Sequence, residues 1–277
     1  MNDVFAAEAW RAEKDPKALQ RAIGAAFGEA HKFRRWLPTS LGHDVPTFSD
    51  GISTIEWVLA SSGEFWFGLT ESEERQASAL SNTPLLTVGE MQPAARSRMD
   101  SFLFSSTPLC LDADPFGDHE VIGADNVILC SEEVALRLAV DHHASLMTER
   151  EWEYECRGGS DTLFWFGSAL PQSDQEMESL LGFETPVAVN SFGMSSMFFG
   201  EWCDDIWRTN LRPDTPCDSR AGRVIRGGAA RFWPWQDPRE WAGCVSAFRM
   251  PSRDAGGAGA AVRLVRRPHS NDAHAEA

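Results

Sequence analysis

Six cysteines are the residues whose chemistry is most readily judged from spacing. They are Cys110, Cys130, Cys156, Cys203, Cys217 and Cys244. No two of them form a CxxC pair, and no histidine lies near them at the spacing that zinc ligands use. We therefore expect reduced, free thiols rather than disulfides or structural zinc.

The loop between Gly227 and Arg253 is the second chemically distinctive segment. Trp and Arg are the residue types most enriched in binding hot spots, and the loop is crowded with both. One interpretation is a ligand-binding surface, and the alternative is that the rings only pack the loop. The candidate ligand-binding residues are Arg231, Trp233, Trp235, Arg239 and Trp241.

The histidines do not form a metal-binding pattern. His142 and His143 are adjacent and cannot both point the same way from a helix, while His31, His43 and His119 are isolated. The sequence also contains no P-loop, no GxSxG and no GxGxxG at a strand-to-helix turn. No catalytic residue and no metal ligand is therefore assigned.

The N-terminal segment has the pattern of an amphipathic helix. Leu19, Ile23 and Phe27 recur at fourfold spacing within residues 16–35. This apolar stripe is expected to cover the main domain or a partner. Removal of residues 1–45 is expected to leave a folded core, because the motifs described below begin near Ile52, but one that is less soluble because apolar surface is uncovered. A small basic cluster is expected at its solvated end, formed by Lys32, Arg34 and Arg35.

Further elements are predicted along the rest of the chain. Residues 38–51 have the composition of a connector, and residues 52–68 that of two short strands around a turn at 61–63. Ser131 is expected to begin a helix with Ala135, Leu138, Ala139 and His142 along one face. Thr148 and Glu151 form a capping box for another helix.

Composition and net charge exclude several classes of protein for this chain. The chain has 277 residues, 43% of them hydrophobic, with 11 Trp and 17 Phe, which is enough for a globular core. A formal charge of −16 disfavours binding to phosphate backbones, so no nucleic-acid partner is expected. The sequence has no apolar run of signal-peptide or membrane-span length, and we expect a cytoplasmic protein without a membrane partner.

Six ordered motifs carry a resemblance to a known family. They are SSGEFWFG, LMTEREWEYECRGG, VNSFGM, EWCDD, RVIRGG and AVRLVR. In this order they resemble the formylglycine-generating enzyme family, also known as the sulfatase-modifying factors. The resemblance implies an α+β, irregular and loop-rich fold related to C-type lectins. It also implies three parts: an N-terminal helical extension over residues 1–50, the family-like domain over 51–267 and a polar tail over 268–277.

The oxidase residues of that family are replaced in this chain. Family members that make formylglycine use two cysteines five positions apart, which bind copper and engage the substrate cysteine. Trp241 and Ser246 stand at these two positions, and the nearby Cys244 is single. Because a pair of thiolates is what holds a soft Cu(I) ion, the resemblance here implies a domain without the oxidase chemistry.

Calcium is the one cofactor kept as a candidate. In the family a Gly-Asn step helps to bind structural calcium, and residues 190–202 lack this step. Glu201, Asp204 and Asp205 remain as oxygen donors, and a solvated acidic loop is the alternative. Related iron oxygenases of the ergothioneine pathway need an HxxxH-like histidine pair, which this sequence does not contain.

These observations predict a non-oxidase binding module that recognises a protein or a small ligand. Two alternatives stay open. One is a metal-dependent oxidase or oxygenase of the same family, and the other is a ligand-binding protein diversified by a retroelement. Diversified proteins of that kind are often rich in asparagine near the closing motif, whereas residues 227–262 contain none.

Overall fold

A computed structural model describes residues 12–80, 88–113, 120–122, 126–169, 189–195, 197, 199–228, 243–255 and 259–268. Within these ranges the chain is a mixed α+β structure with four α-helices and thirteen short strands. The helices are α1 (Pro16–Phe27), α2 (Glu71–Leu80), α3 (Glu132–Asp141) and α4 (Glu149–Arg157). The strands are β1 (Lys32–Pro38), β2 (Asp44–Ser49), β3 (Trp57–Ala60), β4 (Gly63–Phe67), β5 (Ala95–Met99), β6 (Phe102–Ser105), β7 (Glu120–Ile122), β8 (Val127–Leu129), β9 (Ser145–Leu146), β10 (Glu201–Ile206), β11 (Arg223–Arg226), β12 (Arg249–Pro251) and β13 (Leu264–Arg266).

The strands form antiparallel sheets of very different size. The largest has the strand order β1-β2-β3-β6-β13-β9, so it joins both ends of the described chain. A three-stranded sheet has the order β10-β11-β12, and β4–β5 and β7–β8 form two-stranded ribbons. The mixed α+β class expected from the sequence is therefore observed.

Helix α1 is shorter than predicted and belongs to the core. Asp15 caps its first turn, accepting a hydrogen bond from the Lys17 N–H at 3.0 Å. Leu19, Ile23 and Phe27 are buried in the same apolar cluster as strands of the large sheet. The predicted helix over residues 16–35 is wrong at its C-terminal end, because the chain leaves the helix at Phe27 and enters β1.

Two predictions for the following residues are also wrong. The basic cluster is not a helix end: Lys32, Arg34 and Arg35 lie on β1, where Arg35 pairs with Glu56 at 2.7 Å. The expected connector contains a strand, β2, whose Phe48 pairs with Trp57 on β3. The apolar and aromatic residues of these segments pack into the sheet, which outweighs their loop-like composition. The predicted domain boundary at residue 50 lies between β2 and β3, which pair with each other.

The central helices and the strands after residue 52 confirm the sequence patterns. Two strands are present where they were expected: β3 ends at Ala60 and β4 begins at Gly63, the last residue of the expected turn. Ser131 caps α3, with Ala135, Leu138 and Ala139 buried, although His142 forms the C-terminal cap instead of lying on the buried face. The capping box of α4 is present in both directions, between Thr148 and Glu151. Among the described helices, none is long and apolar enough to cross a membrane.

Candidate functional site

The predicted binding loop can be located only by its two ends. Residues 229–242 lie outside the described residues, and with them Arg231, Trp233, Trp235, Arg239 and Trp241. Gly227, at the start of the loop, has φ +69°, and a Cβ there would lie 2.8 Å from the Phe199 carbonyl oxygen. Gly227 therefore allows a close approach of the backbone that a side chain would block. At the other end, Val245 pairs with Phe164.

Helix α4 carries a row of charged residues into the interior. Glu149, Glu153 and Arg157 follow one another at fourfold spacing, which places them on one helical face. All three are buried. Since buried charges are tolerated only when they are paired, this face requires matching charges from other elements.

Glu153 is the centre of this row. It accepts hydrogen bonds from the guanidinium groups of Arg157 and Arg226, at 2.9 and 2.6 Å, and from the Gly68 N–H at 2.8 Å. Arg157 in turn pairs with Glu73 of α2 and donates to the Gly68 carbonyl at 3.0 Å. The Glu153 carboxylate therefore connects α4 to strand β11 and to the turn before α2.

Two further buried ion pairs extend the network. Arg249 donates to both carboxylate oxygens of Glu149, at 2.8 and 3.2 Å. Arg263 binds both oxygens of Glu201 at 2.8 Å, and the Trp152 indole N–H donates to the same carboxylate at 2.9 Å. These contacts hold the helix, the three-stranded sheet and the last strand in one arrangement.

A cleft of about 810 Å³ opens beside the end of this network. Its inner wall is the buried pair Arg157 and Glu73, and the first turn of α2 forms one side. Trp66, half-buried on β4, contributes an aromatic face that the Arg96 guanidinium covers from 5.3 Å. Among the described residues the cleft is also lined by Leu69, Thr70, Glu71, Ser72, Gly89, Gln92, Pro93, Ala94, Asp161, Asn210 and Arg212.

The cleft has the volume of a small-ligand site, since such pockets usually measure about 300–1,000 Å³. Most of its described lining residues are polar or charged, which favours a polar ligand. Each of the three guanidinium nitrogens of Arg157 already donates a hydrogen bond, to Glu153, Glu73 and the Gly68 carbonyl, so its side chain is fixed in the wall of the cleft. The exposed Arg212 and Asp161 at the mouth remain available for a ligand's charges.

The thiols near the family's oxidase positions are poorly suited to that chemistry. Ser246 is buried and carries a hydroxyl, and Trp241 lies outside the described residues. Burial raises the pKa of Cys244, and burial raises the pKa of Cys156 to about 12. Both thiols are therefore protonated at neutral pH, whereas metal binding and nucleophilic attack need the thiolate. All six cysteines are free, as the sequence predicted.

The carboxylates considered for calcium have other partners in the structure. Glu201 is held by Arg263 and Trp152, and Asp204 accepts from Arg223 at 3.0 Å. Asp205 accepts the Glu149 N–H at 2.6 Å, and burial followed by the charge of Glu149 raises its pKa. Across the described ranges, no group of three or more His, Cys, Asp or Glu side chains is placed to hold a metal ion.

Sequence reasoning did not find the cleft. Its lining comes from four separate stretches between residues 66 and 212. Two of them include residues of the ordered motifs, Trp66 and Arg157, but neither motif by itself indicates a cleft.

The buried charges of α4 could have been suspected from the sequence. Glu149 and Glu153 lie at fourfold spacing in a helix that also contains Trp152 and Tyr154, a combination that is unusual for a solvated helical face. Comparison with protein-family models gives no match for this chain, and comparison with curated proteins gives none either.

Proposed function

We propose that this chain is a non-oxidase binding module on a fold like that of the formylglycine-generating enzymes, and that it takes a small ligand into the cleft beside α2. The observation that carries the proposal is the cleft itself, about 810 Å³ in volume, with a wall fixed by the buried Arg157–Glu73 pair. A site whose wall is held by paired charges is organised before its ligand arrives, which lowers the entropic cost of binding.

The loop over residues 227–253 is kept as a second recognition surface, for a protein partner. Its support is compositional, because Trp and Arg dominate binding hot spots. The two surfaces make different demands on a partner, since a cleft suits a small molecule and a loop rich in Trp suits a protein surface. Oxidase chemistry is not part of the proposal, because Ser246 stands where the family has a thiol.

The test is a ligand-observed NMR screen of a fragment library against the intact protein and four variants. Trp66→Ala and Arg212→Ala should weaken cleft ligands, with about 2 kcal/mol or about thirty-fold expected for a contacting Trp. Arg220→Ala, an exposed arginine that does not line the cleft, is the matched control. Trp233→Ala tests the loop separately. Fragments that bind all four variants equally well would contradict the cleft as the site.

The alternative function, that of a copper-dependent oxidase, is tested by a separate experiment. Oxygen uptake is followed with copper and a cysteine-containing peptide, and the proposal expects none above the rate of copper and peptide alone. Copper-dependent oxygen consumption that is lost on mutation of Cys244 would overturn the non-oxidase part of the proposal, whatever the fragment screen shows.

A further inference from the structure

The free charges of the cleft beside α2 are of both signs. Arg212, Asp161 and Glu71 line the cleft, and all three side chains are exposed. None of the three belongs to an ion pair within the part of the chain that the structure describes, whereas Arg157 and Glu73 in the same wall are paired with each other at 2.5 Å. Opposite charges that line one cleft without meeting are matched together only by a ligand that carries both signs.

Arg212 and Asn210 form the donor side of the cleft. Asn210 Oδ1 already accepts from the Arg212 backbone N–H at 2.9 Å and from the Thr215 hydroxyl at 2.5 Å. The remaining group of the Asn210 side chain is its amide NH2, which is a donor. The Leu211 N–H donates to the Gln92 carbonyl at 2.9 Å and fixes this segment at the edge of the cleft. A guanidinium and an amide NH2 on one short, fixed segment are suited to a carboxylate.

Asp161 and Glu71 form the acceptor side of the cleft. Asp161 follows Ser160, whose N–H and hydroxyl donate to the Arg157 carbonyl at 2.9 and 2.8 Å, so its backbone is fixed at the end of α4. Glu71 lies on the first turn of α2. A carboxylate can only accept hydrogen bonds when it is ionised, and an ammonium group can only donate them. The acceptor side is therefore suited to an ammonium group.

The cleft also has an apolar part, to which Trp66, Leu69, Pro93 and Ala94 contribute. Trp66 is half-buried, and the Arg96 guanidinium covers its ring from 5.3 Å. An indole ring offers a large, rigid contact area to an aromatic or aliphatic group. The body of a ligand that reaches both charged sides can therefore be apolar.

A ligand of one charge fits this set of residues less well. A simple anion would meet the carboxylates of Asp161 and Glu71, in a chain whose formal charge is −16. A simple cation would leave Arg212 unmatched and would approach Arg96 at the Trp66 ring. A ligand without charge would use neither side.

We propose that the ligand of the cleft is a small zwitterion of the apolar amino-acid class. Its carboxylate binds the donor side, Arg212 and Asn210, and its ammonium group binds the acceptor side, Asp161 and Glu71. Its side chain packs against Trp66. This inference rests on the proposed function, because it names the class of ligand for the same cleft.

The experiment compares the affinities of three matched probes for the intact protein by NMR titration at neutral pH. L-phenylalanine carries both charges, 2-phenylethylamine carries only the ammonium group, and 3-phenylpropanoate carries only the carboxylate. All three have the same ring and the same two-carbon chain. Phenylalanine should bind about two- to fivefold more tightly than either analogue, which is the effect of one exposed ion pair.

Two variants assign each charge of the ligand to its side of the cleft. Arg212→Gln should remove the advantage of phenylalanine over 2-phenylethylamine and keep its advantage over 3-phenylpropanoate. The double variant Asp161→Asn, Glu71→Gln should do the reverse. Glu64→Gln is the matched control, because Glu64 is exposed on β4 and does not line the cleft, so both affinity ratios should stay unchanged.

The failure of this inference is distinguishable from the failure of the proposed function. Analogues that bind as tightly as phenylalanine, all weakened by Trp66→Ala, overturn the zwitterion but keep the cleft as a binding site. Phenylalanine that does not bind, or that binds Trp66→Ala equally well, also overturns the zwitterion. The proposed function fails only when no fragment of the library depends on Trp66 or Arg212.

Discussion

At the scale of single residues, Glu153 shows how strictly charges are matched in this interior. It receives two guanidinium groups and one backbone N–H, and its side chain is fully buried. Glu153→Gln should cost about 3–5 kcal/mol in the free energy of unfolding, because the buried Arg157, Arg226 and Arg249 would then share only two carboxylates, those of Glu73 and Glu149, and one positive charge would be uncompensated. The control is Glu132→Gln, whose pair with Arg223 is part-exposed and should cost no more than about 1 kcal/mol. Equal losses in the two variants by urea titration would contradict this account.

Glu155 is the opposite case on the same helix. Both of its carboxylate oxygens are buried, and neither has a hydrogen-bond partner among the residues that the structure describes. Burial raises its pKa well above the usual value, against the smaller opposing effect of the Arg263 charge. The carboxyl group is therefore protonated in the folded protein across a range where it is ionised in the unfolded chain.

A folded-state pKa above the unfolded one fixes the direction of the pH dependence. The contribution of Glu155 is fully present below about pH 4 and declines by about 1.4 kcal/mol per pH unit until the folded-state pKa is reached. Glu155→Gln should remove this decline and make the protein more stable at pH 7 than the natural chain. Urea midpoints at several pH values measure it, with the exposed Glu133→Gln as control. An unchanged pH profile in Glu155→Gln would show that the carboxyl is solvated.

At the scale of elements, the turn between β4 and α2 is held by a glycine. Gly68 has φ +93°, and a Cβ there would lie 2.7 Å from both the Leu211 side chain and the Met91 carbonyl oxygen. Its N–H and carbonyl also bind Glu153 and Arg157, so the turn connects the charged network to the cleft. A side chain at this position would strain the backbone and push the two segments apart.

Gly68→Ala should accordingly cost about 2 kcal/mol or more, from the left-handed backbone and the clash together. Gly89→Ala is the matched control in the same wall of the cleft, because a Cβ at Gly89 would meet no atom within 4 Å. Thermal unfolding of both variants is the measurement. Near-natural stability in Gly68→Ala would mean that the turn can open without affecting the network.

At the scale of the whole molecule, the described part of the N-terminal segment packs against the apolar core and the large sheet. Helix α1 buries Leu19, Ile23 and Phe27, and β1 and β2 extend the large sheet from β3. Removal of residues 1–45 should therefore abolish the cooperative unfolding transition, contrary to the sequence-based expectation of a folded core. Circular dichroism during urea titration tests this, with Arg21→Ala on the exposed side of α1 as a control that should stay within about 0.5 kcal/mol. A cooperative transition in the truncated chain would restore that expectation.

Interactions between residues close in the sequence were sufficient to predict several helix features. The capping box at Thr148 and Glu151 and the serine cap at Ser131 depend on neighbours a few residues away, so the sequence contains everything they need. The apolar stripe of α1 likewise predicted which side chains are buried. The stop at Phe27 and strands β1 and β2 could not be predicted, because they depend on pairing with β3.

The cleft was decided by tertiary structure alone. Its lining comes from stretches that are distant in the sequence. Composition and periodicity report how a residue relates to its near neighbours, whereas a site of this kind exists only once remote segments are packed together. The sequence by itself thus determined the types of residue that must be buried or capped, and the fold decided which charges meet.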